Sequence, residues 1–333
     1  MPFVTVLMAV FDPPVPMLEK AVHSVLAQTY ADFEFLIVDD GSRTAAAEEY
    51  LSRVQPADRR LRVLRETHRG LTRSLNLGLA LSRGAWIARH DADDWSEPDR
   101  LQRQVAFLAA HPGVSLCGSN AWTHQQDGRP LWRTNLPQTH SEIRRALPAR
   151  NPFVHGATIF SRREALRAGA YREEFRCSQD YDLFWRLAEA GEAANLGQAL
   201  YHYRYTAGSI SAERAREQAI AHRAAQRLGA KRAVNAPCDR RCRIQDTADE
   251  VEQAFVLAGQ ELHATSSSAF RSQLKQADHL VLAGHYRRAL RAYSSLIASR
   301  PGSILGWAKL GRLGAFVALP ALRLPVLRRI CFR

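Results

Sequence analysis

Nowhere in these 333 residues does an apolar run reach the eighteen or so positions that crossing a bilayer needs. Cysteine is scarce: five residues, at 117, 177, 238, 242 and 331, an odd number without the spacing of a disulfide framework. Cys238 and Cys242 make one metal-like pair with no second pair to complete a structural zinc site. No charged leader or cleavage site precedes the first apolar stretch, because Met1-Pro2-Phe3 opens directly onto it. A reduced, cytosolic chain is therefore expected. Acid is short in one place only. Up to residue 210, 25 Lys+Arg stand against 24 Asp+Glu; beyond it 21 stand against 9, which holds nearly all of the net charge of +13. This predicts a near-neutral body and a basic tail facing an anionic partner. The tail has no base-reading motif, so nucleic acid is not expected as that partner.

An apolar fraction of 46% over this length suffices for one large or two medium domains. Val4–Val10 reads as a buried strand, Asp12-Pro13-Pro14-Val15-Pro16 breaks it, and Met17–Gln28 carries helical spacing. Phe33–Val38, Leu61–Leu64 and Ala85–Ala88 are further strands, with helices over 45–54 and 71–81 between them. Another helix is expected to start with Pro98 in its first turn. Strict alternation predicts a doubly wound, mainly parallel sheet flanked by helices. Residues 113–210 are more mixed, with a strand at Val114–Cys117 and a helix at Tyr181–Ala190. Beyond Ser211 the pattern is α-helical, with a linker over 234–248 and a hairpin over 270–299 turning at Gly284. The expected division is a body over 1–210, with halves 1–112 and 113–210, and a basic helical extension over 211–333.

Two acidic clusters follow strand-like runs: Asp39-Asp40, and Asp91-Ala92-Asp93-Asp94. In doubly wound sheets ligands bind beyond the carboxyl ends of the strands, and both clusters fall there. Crowded carboxylates call for a cation, and all-oxygen ligation suits Mg²⁺ or Mn²⁺. Alternate residues of an extended segment point the same way, so Asp91 and Asp93 converge on one site.

Several blocks together carry a family resemblance. Val4–Asp12, Ser24-Val25-Leu26-Ala27-Gln28-Thr29-Tyr30, Val38-Asp39-Asp40-Gly41-Ser42, Arg83–Ile87, Asp91–Asp94 with Pro98-Asp99-Arg100-Leu101, and Gln179-Asp180-Tyr181-Asp182-Leu183 resemble, in register, the family 2 glycosyltransferases. The resemblance implies the GT-A fold and inverting transfer of a sugar from a nucleoside-diphosphate donor to a hydroxyl of a glycan or lipid-linked acceptor. It makes Asp40 the base contact with Asp39 supporting, and puts the backbone near Ala9 and Phe11 beside the nucleotide. It further implies Asp91 toward the ribose, Asp93 on the metal, and Asp180 as general base. Arg73 and Asn76 are donor-side candidates, and Arg204 is a partner for a phosphate or a carboxylate. His155 and Gly156 belong to the acceptor side, with a structural role open for His155. Asp94 is a water-mediated ligand, a loop anchor or a helix cap; Asp182 is structural. The chain departs from the family pattern at Phe11-Asp12, Gln179 and Thr206, where Tyr-Asn, Glu and His are usual.

Residues 309–333 mix arginines with apolar residues, and Pro320 and Pro325 interrupt them. Such a segment lies on an anionic membrane surface rather than in it, which implies peripheral attachment at the inner face of the plasma membrane. Two rival readings stand beside the transferase. One is a sugar nucleotidyltransferase, for which a Gly-rich, Lys/Arg-bearing loop after the first strand is missing. The other is a non-catalytic nucleotide-binding scaffold.

Overall fold

The computed structural model describes residues 3–206, 213–234, 246–264, 267–299 and 303–318. The chain falls into two compact units. The first comprises 1–122, 133–203 and 225–252; the second comprises 123–132, 204–224 and 253–333.

The first unit opens as the alternation predicts: β1 (Val4–Val10), α1 (Val15–Leu26), β2 (Phe33–Asp39), α2 (Ala45–Val54), β3 (Leu61–Arg65), α3 (Leu71–Leu81) and β4 (Trp86–Asp91). Strands β3, β2, β1 and β4 lie side by side and parallel. Parallel strands are covered on both faces, which is why β1 and β2 are apolar almost throughout. Val6, Met8, Val10, Phe35 and Ile37 pack on one face against Leu18, Val22 and Val25 of α1 and Leu51 of α2. Leu7 points to the other face, where α3 packs.

After β4 come β5 (Trp95–Ser96), α4 (Arg100–Ala110), β6 (Val114–His124), β7 (Pro130–Arg133), α5 (His140–Ala146), β8 (Ile159–Ser161), α6 (Arg162–Arg167), α7 (Gln179–Ala190) and β9 (Glu192–Arg204). The full strand order is β3-β2-β1-β4-β8-β6-β9-β5, with β7 beside β6. β8 runs antiparallel to both β4 and β6, and β5 antiparallel to β9. The parallel half thus continues into an antiparallel one. Pro98 lies two residues before α4 rather than in its first turn; Asp99 takes the N-cap position.

Beyond β9 the described chain is helical: α8 (Ala215–Val234), α9 (Ala248–Ala264), α10 (Ser267–Leu282), α11 (Tyr286–Ser299) and α12 (Ile304–Ala318). In the second unit Leu274, Ala277 and Val281 of α10 pack with Ala289, Tyr293 and Leu296 of α11 and Leu313 of α12. The turn between α10 and α11 has Gly284 at φ +87°, a left-handed conformation that glycine adopts without strain. Lys309 is buried and ion-paired with Asp278, which also accepts from the Tyr293 hydroxyl. Lys309 is therefore a core residue, not part of a free basic face. The rest of the basic segment from residue 319 on, most of the expected linker over 234–248, and cysteines 238, 242 and 331 lie outside the described residues; Cys117 and Cys177 are buried. Among the described residues no helix is long and apolar enough to cross a membrane.

Candidate active site

The registers of the parallel strands bring the acidic clusters together. Val10 lies opposite Asp39, and Ala9 opposite both Val38 and Asp91, so the ends of β2 and β4 flank the end of β1. Ala9 itself is partly exposed between them.

Asp39 and Asp40 are both buried. Asp39 Oδ1 accepts the backbone N–H of Ser42 at 2.9 Å, the turn role open to an Asp-Gly-Ser sequence. Asp40 Oδ1 and Oδ2 accept the N–H groups of Arg69 (2.8 Å) and Gly70 (2.9 Å), and His68 Nδ1 lies 2.9 Å from Oδ2. A carboxylate has about four acceptor positions, so Asp40 anchors the loop into α3 and keeps room for one further donor. The imidazole of His68 stacks on the exposed ring of Phe11, centroids 4.0 Å apart. A flat aromatic surface thus stands beside a buried carboxylate, the two features a nucleobase needs. His68 was not among the sequence candidates.

The turn after β4 is held from below. Gln28 Oε1 accepts the N–H of Leu101, its Nε2 donates to the carbonyl of Glu97, and Ser24 Oγ accepts the N–H of Ser96. The buried guanidinium of Arg100 donates to the carbonyls of Arg89 (2.9 Å) and Thr158 (3.1 Å), to Ser96 Oγ and to Gln104 Oε1. The Ser24–Gln28 and Pro98–Leu101 blocks are thereby explained as scaffolding for the acidic turn. Within it the three carboxylates differ. Asp91 is partly exposed and paired with Arg89 Nη2 at 2.6 Å, while its N–H donates to the Tyr201 hydroxyl at 3.0 Å. Asp93 is partly exposed and Asp94 is buried.

Among the described residues no three metal-ligating side chains cluster. That donor set still fits a Mg²⁺ or Mn²⁺ ion of the kind bound by one or two carboxylates with substrate phosphates and water completing the shell. Asp93, the partly exposed carboxylate of the turn beside Asp91, is the one that would hold such an ion.

Asp180 lies in the first turn of α7 and is partly exposed. Its Oδ2 accepts from Asn151 Nδ2 at 2.8 Å. Enclosure in a poorly solvated site raises its pKa to about 6; the Asp91 carboxylate adds to the rise, while backbone N–H groups and Arg89 oppose it. Two turns of α3 set the approach to this helix. Asn76 exchanges two hydrogen bonds with the backbone of Tyr171 (2.7 and 3.0 Å), and Thr72 donates to the carbonyl of Phe175. The amide of Asn76 is thus engaged by the chain itself. Arg73 forms an exposed ion pair with Glu173 at 2.7 Å.

His155 Nε2 lies 3.0 Å from the Tyr171 hydroxyl, and burial holds its pKa well below the usual imidazole value, so it is neutral. This is the structural role that the sequence left open. A Cβ on Gly156 would sit 2.2 Å from the Tyr201 hydroxyl oxygen, so glycine there makes room for the tyrosine that supports Asp91. Arg204 belongs to the second unit, where its Nη1 donates to the carbonyl of Gln126 at 3.3 Å.

Asp182, two residues beyond Asp180, is buried between Arg172 (2.9 Å) and Arg186 (2.6 Å). Burial opposes its charge, but the two guanidiniums outweigh it and hold its carboxyl below the usual range. Replacing it with asparagine takes the carboxylate from Arg186 and leaves Arg172 with Asp246 alone. Asp182→Asn is expected to destabilise the protein by about 3–5 kcal/mol, read by chemical or thermal denaturation.

Comparison with known proteins gives a consistent picture. A family model described as "Glycosyl transferase family 2" matches residues 5–169. The putative glycosyltransferase EpsE of Bacillus subtilis is 33% identical over 210 residues, 61% of this chain and 73% of the relative. The amylovoran biosynthesis glycosyltransferase AmsE of Erwinia amylovora is 28% identical over 198 residues, 59% of this chain and 74% of its own. The chain spans only 23% and 65% of the length of two further relatives, from Sinorhizobium fredii and Haemophilus influenzae. Among solved structures, Staphylococcus aureus TarS 1–349 in complex with UDP-GlcNAc superposes with a TM-score of 0.58 at 15% identity, covering 98% of this chain and 90% of that one. The mannosyltransferase PcManGT of Pyrobaculum calidifontis, in complex with GDP-Man and Mn²⁺, gives 0.53 at 19% identity, covering 99% and 83%. At such identities the likeness is one of fold.

Proposed function

This chain belongs to glycosyl transferase family 2, and from that premise we propose that it catalyses metal-dependent, inverting transfer of a sugar from a nucleoside-diphosphate donor to a hydroxyl of a glycan or lipid-linked acceptor in envelope polysaccharide synthesis. The observation that carries the reading is the register of the strand ends, which sets Asp39 and Asp91 on either side of β1. The nucleobase lies against Phe11 with Asp40 as its acceptor, Asp91 orients the ribose, and Asp93 holds Mg²⁺ or Mn²⁺. When bound, that ion neutralises charge on the leaving diphosphate. Asp180 takes the proton from the acceptor hydroxyl, which attacks the anomeric carbon opposite the leaving group. One displacement inverts the centre and needs no covalent nucleophile. Support for the donor class comes from the UDP-GlcNAc and GDP-Man complexes of the two similar folds, and for the pathway from the name of the amylovoran relative.

The reading is tested by incubating the protein with a panel of nucleotide sugars and Mn²⁺ and measuring release of nucleoside diphosphate. Release that stops with chelator supports it; no release from any donor, with or without an acceptor extract, contradicts it. A pH dependence follows from Asp180. A base must be unprotonated, so kcat/KM falls about tenfold per pH unit below about 6 and levels off above it. A limb set near pH 4 would point to another base.

The same proposal includes attachment to an anionic membrane through the basic residues after 318. Each arginine near such a surface contributes about 1 kcal/mol. Replacing Arg323, Arg328, Arg329 and Arg333 together by Glu is expected to abolish co-sedimentation with phosphatidylglycerol-containing vesicles. Undiminished binding would contradict the attachment.

A further inference from the structure

Asp180 is tied to the rest of its unit through one side chain. Asn151 Nδ2 donates to Asp180 Oδ2 at 2.8 Å, and among the described residues no other side chain hydrogen-bonds that carboxylate. Asp91, Arg89 and Tyr171 are the ionisable groups in its surroundings, but each is engaged elsewhere. Arg89 pairs with Asp91, and the Tyr171 hydroxyl meets His155, which is neutral.

A side-chain amide can turn either its oxygen or its nitrogen toward a partner, and its other hydrogen bonds decide which. The oxygen of Asn151 is taken: Oδ1 accepts the backbone N–H of Phe153 at 3.2 Å. The nitrogen therefore faces Asp180. Turned the other way, the amide would set an oxygen against Oδ2, which suits only a protonated carboxyl. The segment that carries Asn151 is itself pinned. Pro152 restricts the residue before it to extended backbone. The Pro152 carbonyl accepts from Asn195 Nδ2 at 3.0 Å, and the same nitrogen donates to the Pro137 carbonyl at 2.7 Å. Asn195 lies buried on β9, and Gly118 on β6 leaves it room, since a Cβ there would collide with Asn195 Oδ1.

We propose that Asn151 is a positioning residue for the transfer: oriented by Phe153 on a loop held by Asn195, its amide fixes one oxygen of Asp180 and favours the charged carboxylate that a base requires. The proposal rests on the assignment of Asp180 as the base. A donor aimed at a carboxylate stabilises the ion over the acid, against the enclosure of the site, which favours the acid. It also limits rotation of the carboxyl group, so an acceptor hydroxyl meets it in one orientation rather than several.

The test is a carbon-13 NMR titration of the Asp180 carboxyl in the full-length protein, assigned in each background by its loss in Asp180→Asn. The parent is compared with Asn151→Leu, close to asparagine in shape but without a donor, and with Asn151→Asp, which keeps the acceptor for Phe153. Folding is checked by circular dichroism. The midpoint is expected to rise by about one pH unit in Asn151→Leu, and by more in Asn151→Asp, where two carboxylates face each other. In the donor panel, kcat for release of nucleoside diphosphate is expected to fall about tenfold in both, with KM for the donor within about twofold. Should Asn151→Leu not fold, Asn151→Asp carries the same expectation. A midpoint unmoved in a folded variant overturns the proposal. So does unchanged kcat, which would leave the transferase reading standing. The titration needs no donor or acceptor. A shifted midpoint in a protein that turns over no nucleotide sugar would contradict the transferase reading and leave the hold of Asn151 on Asp180 standing.

Discussion

Asp180→Asn is expected to abolish turnover and stabilise the protein at the same time. Loss of a positioned general base costs about 10²–10⁴-fold in kcat, while affinity for nucleoside diphosphate with Mn²⁺ stays within about twofold, because the role proposed for the residue is on the acceptor. The stability gain follows from linkage. The folded-state pKa of about 6 stands above the ordinary value of 3.8, so the folded protein holds this proton more tightly than the unfolded chain does. The stabilisation it brings is complete below about pH 4 and is lost as pH rises through 6. At pH 7–8 the native state carries a poorly solvated charge costing about 2–3 kcal/mol, and the neutral amide removes that cost. Asn151 donates to Asp180 Oδ2, and an amide oxygen can accept the same bond. Thermal denaturation at pH 7.5 and at pH 4 reads this directly: a higher melting temperature for the variant at the first and none at the second. A variant that loses both activity and stability would make Asp180 a structural residue.

The second large effect is expected at Asp93. Asp93→Ala removes the partly exposed carboxylate of the acidic turn. With the ion held at Asp93 as proposed, Mn²⁺ would lose its protein anchor and with it stabilisation of the leaving diphosphate worth several kcal/mol, a fall of about 10³-fold in turnover. Titration calorimetry distinguishes this from the loss of the base: nucleoside-diphosphate affinity becomes insensitive to Mn²⁺. Asp94→Asn is the contrasting case. Asp94 is buried under the turn, so its substitution acts on folding before it acts on metal. Unchanged Mn²⁺ dependence in Asp93→Ala would move the metal contact elsewhere.

The parallel half of the sheet was legible because β1 and β2 are apolar runs that end at a turn or a carboxylate. β1, α2 and α3 fall where period and breakers put them. The antiparallel half was legible only in part: β6 begins at Val114, where a strand is expected. β8 is three residues long, too short for a period, and the thirteen residues of β9 bury both faces irregularly. The site divides in the same way. Asp39, Asp91 and Asp93 announced themselves by position at strand ends. The work of Asp40 did not, because the N–H groups it accepts belong to Arg69 and Gly70, which only tertiary folding brings near. Asn76 has the look of a ligand contact in sequence, yet its partner is the backbone of Tyr171, 95 residues on. Asn151 could not be found for the same reason. Arg89 could have been: a lone arginine in an apolar strand, two residues before an aspartate, has a same-face partner by strand geometry alone.

The proposed transfer is a single displacement by an acceptor activated at Asp180. It is tested most directly by proton NMR of the first sugar released when an α-linked nucleotide sugar from the donor panel is hydrolysed by the protein with Mn²⁺. Water then takes the acceptor's place. Single displacement predicts that the β anomer appears first and converts to the equilibrium mixture later. The α anomer appearing first would contradict it.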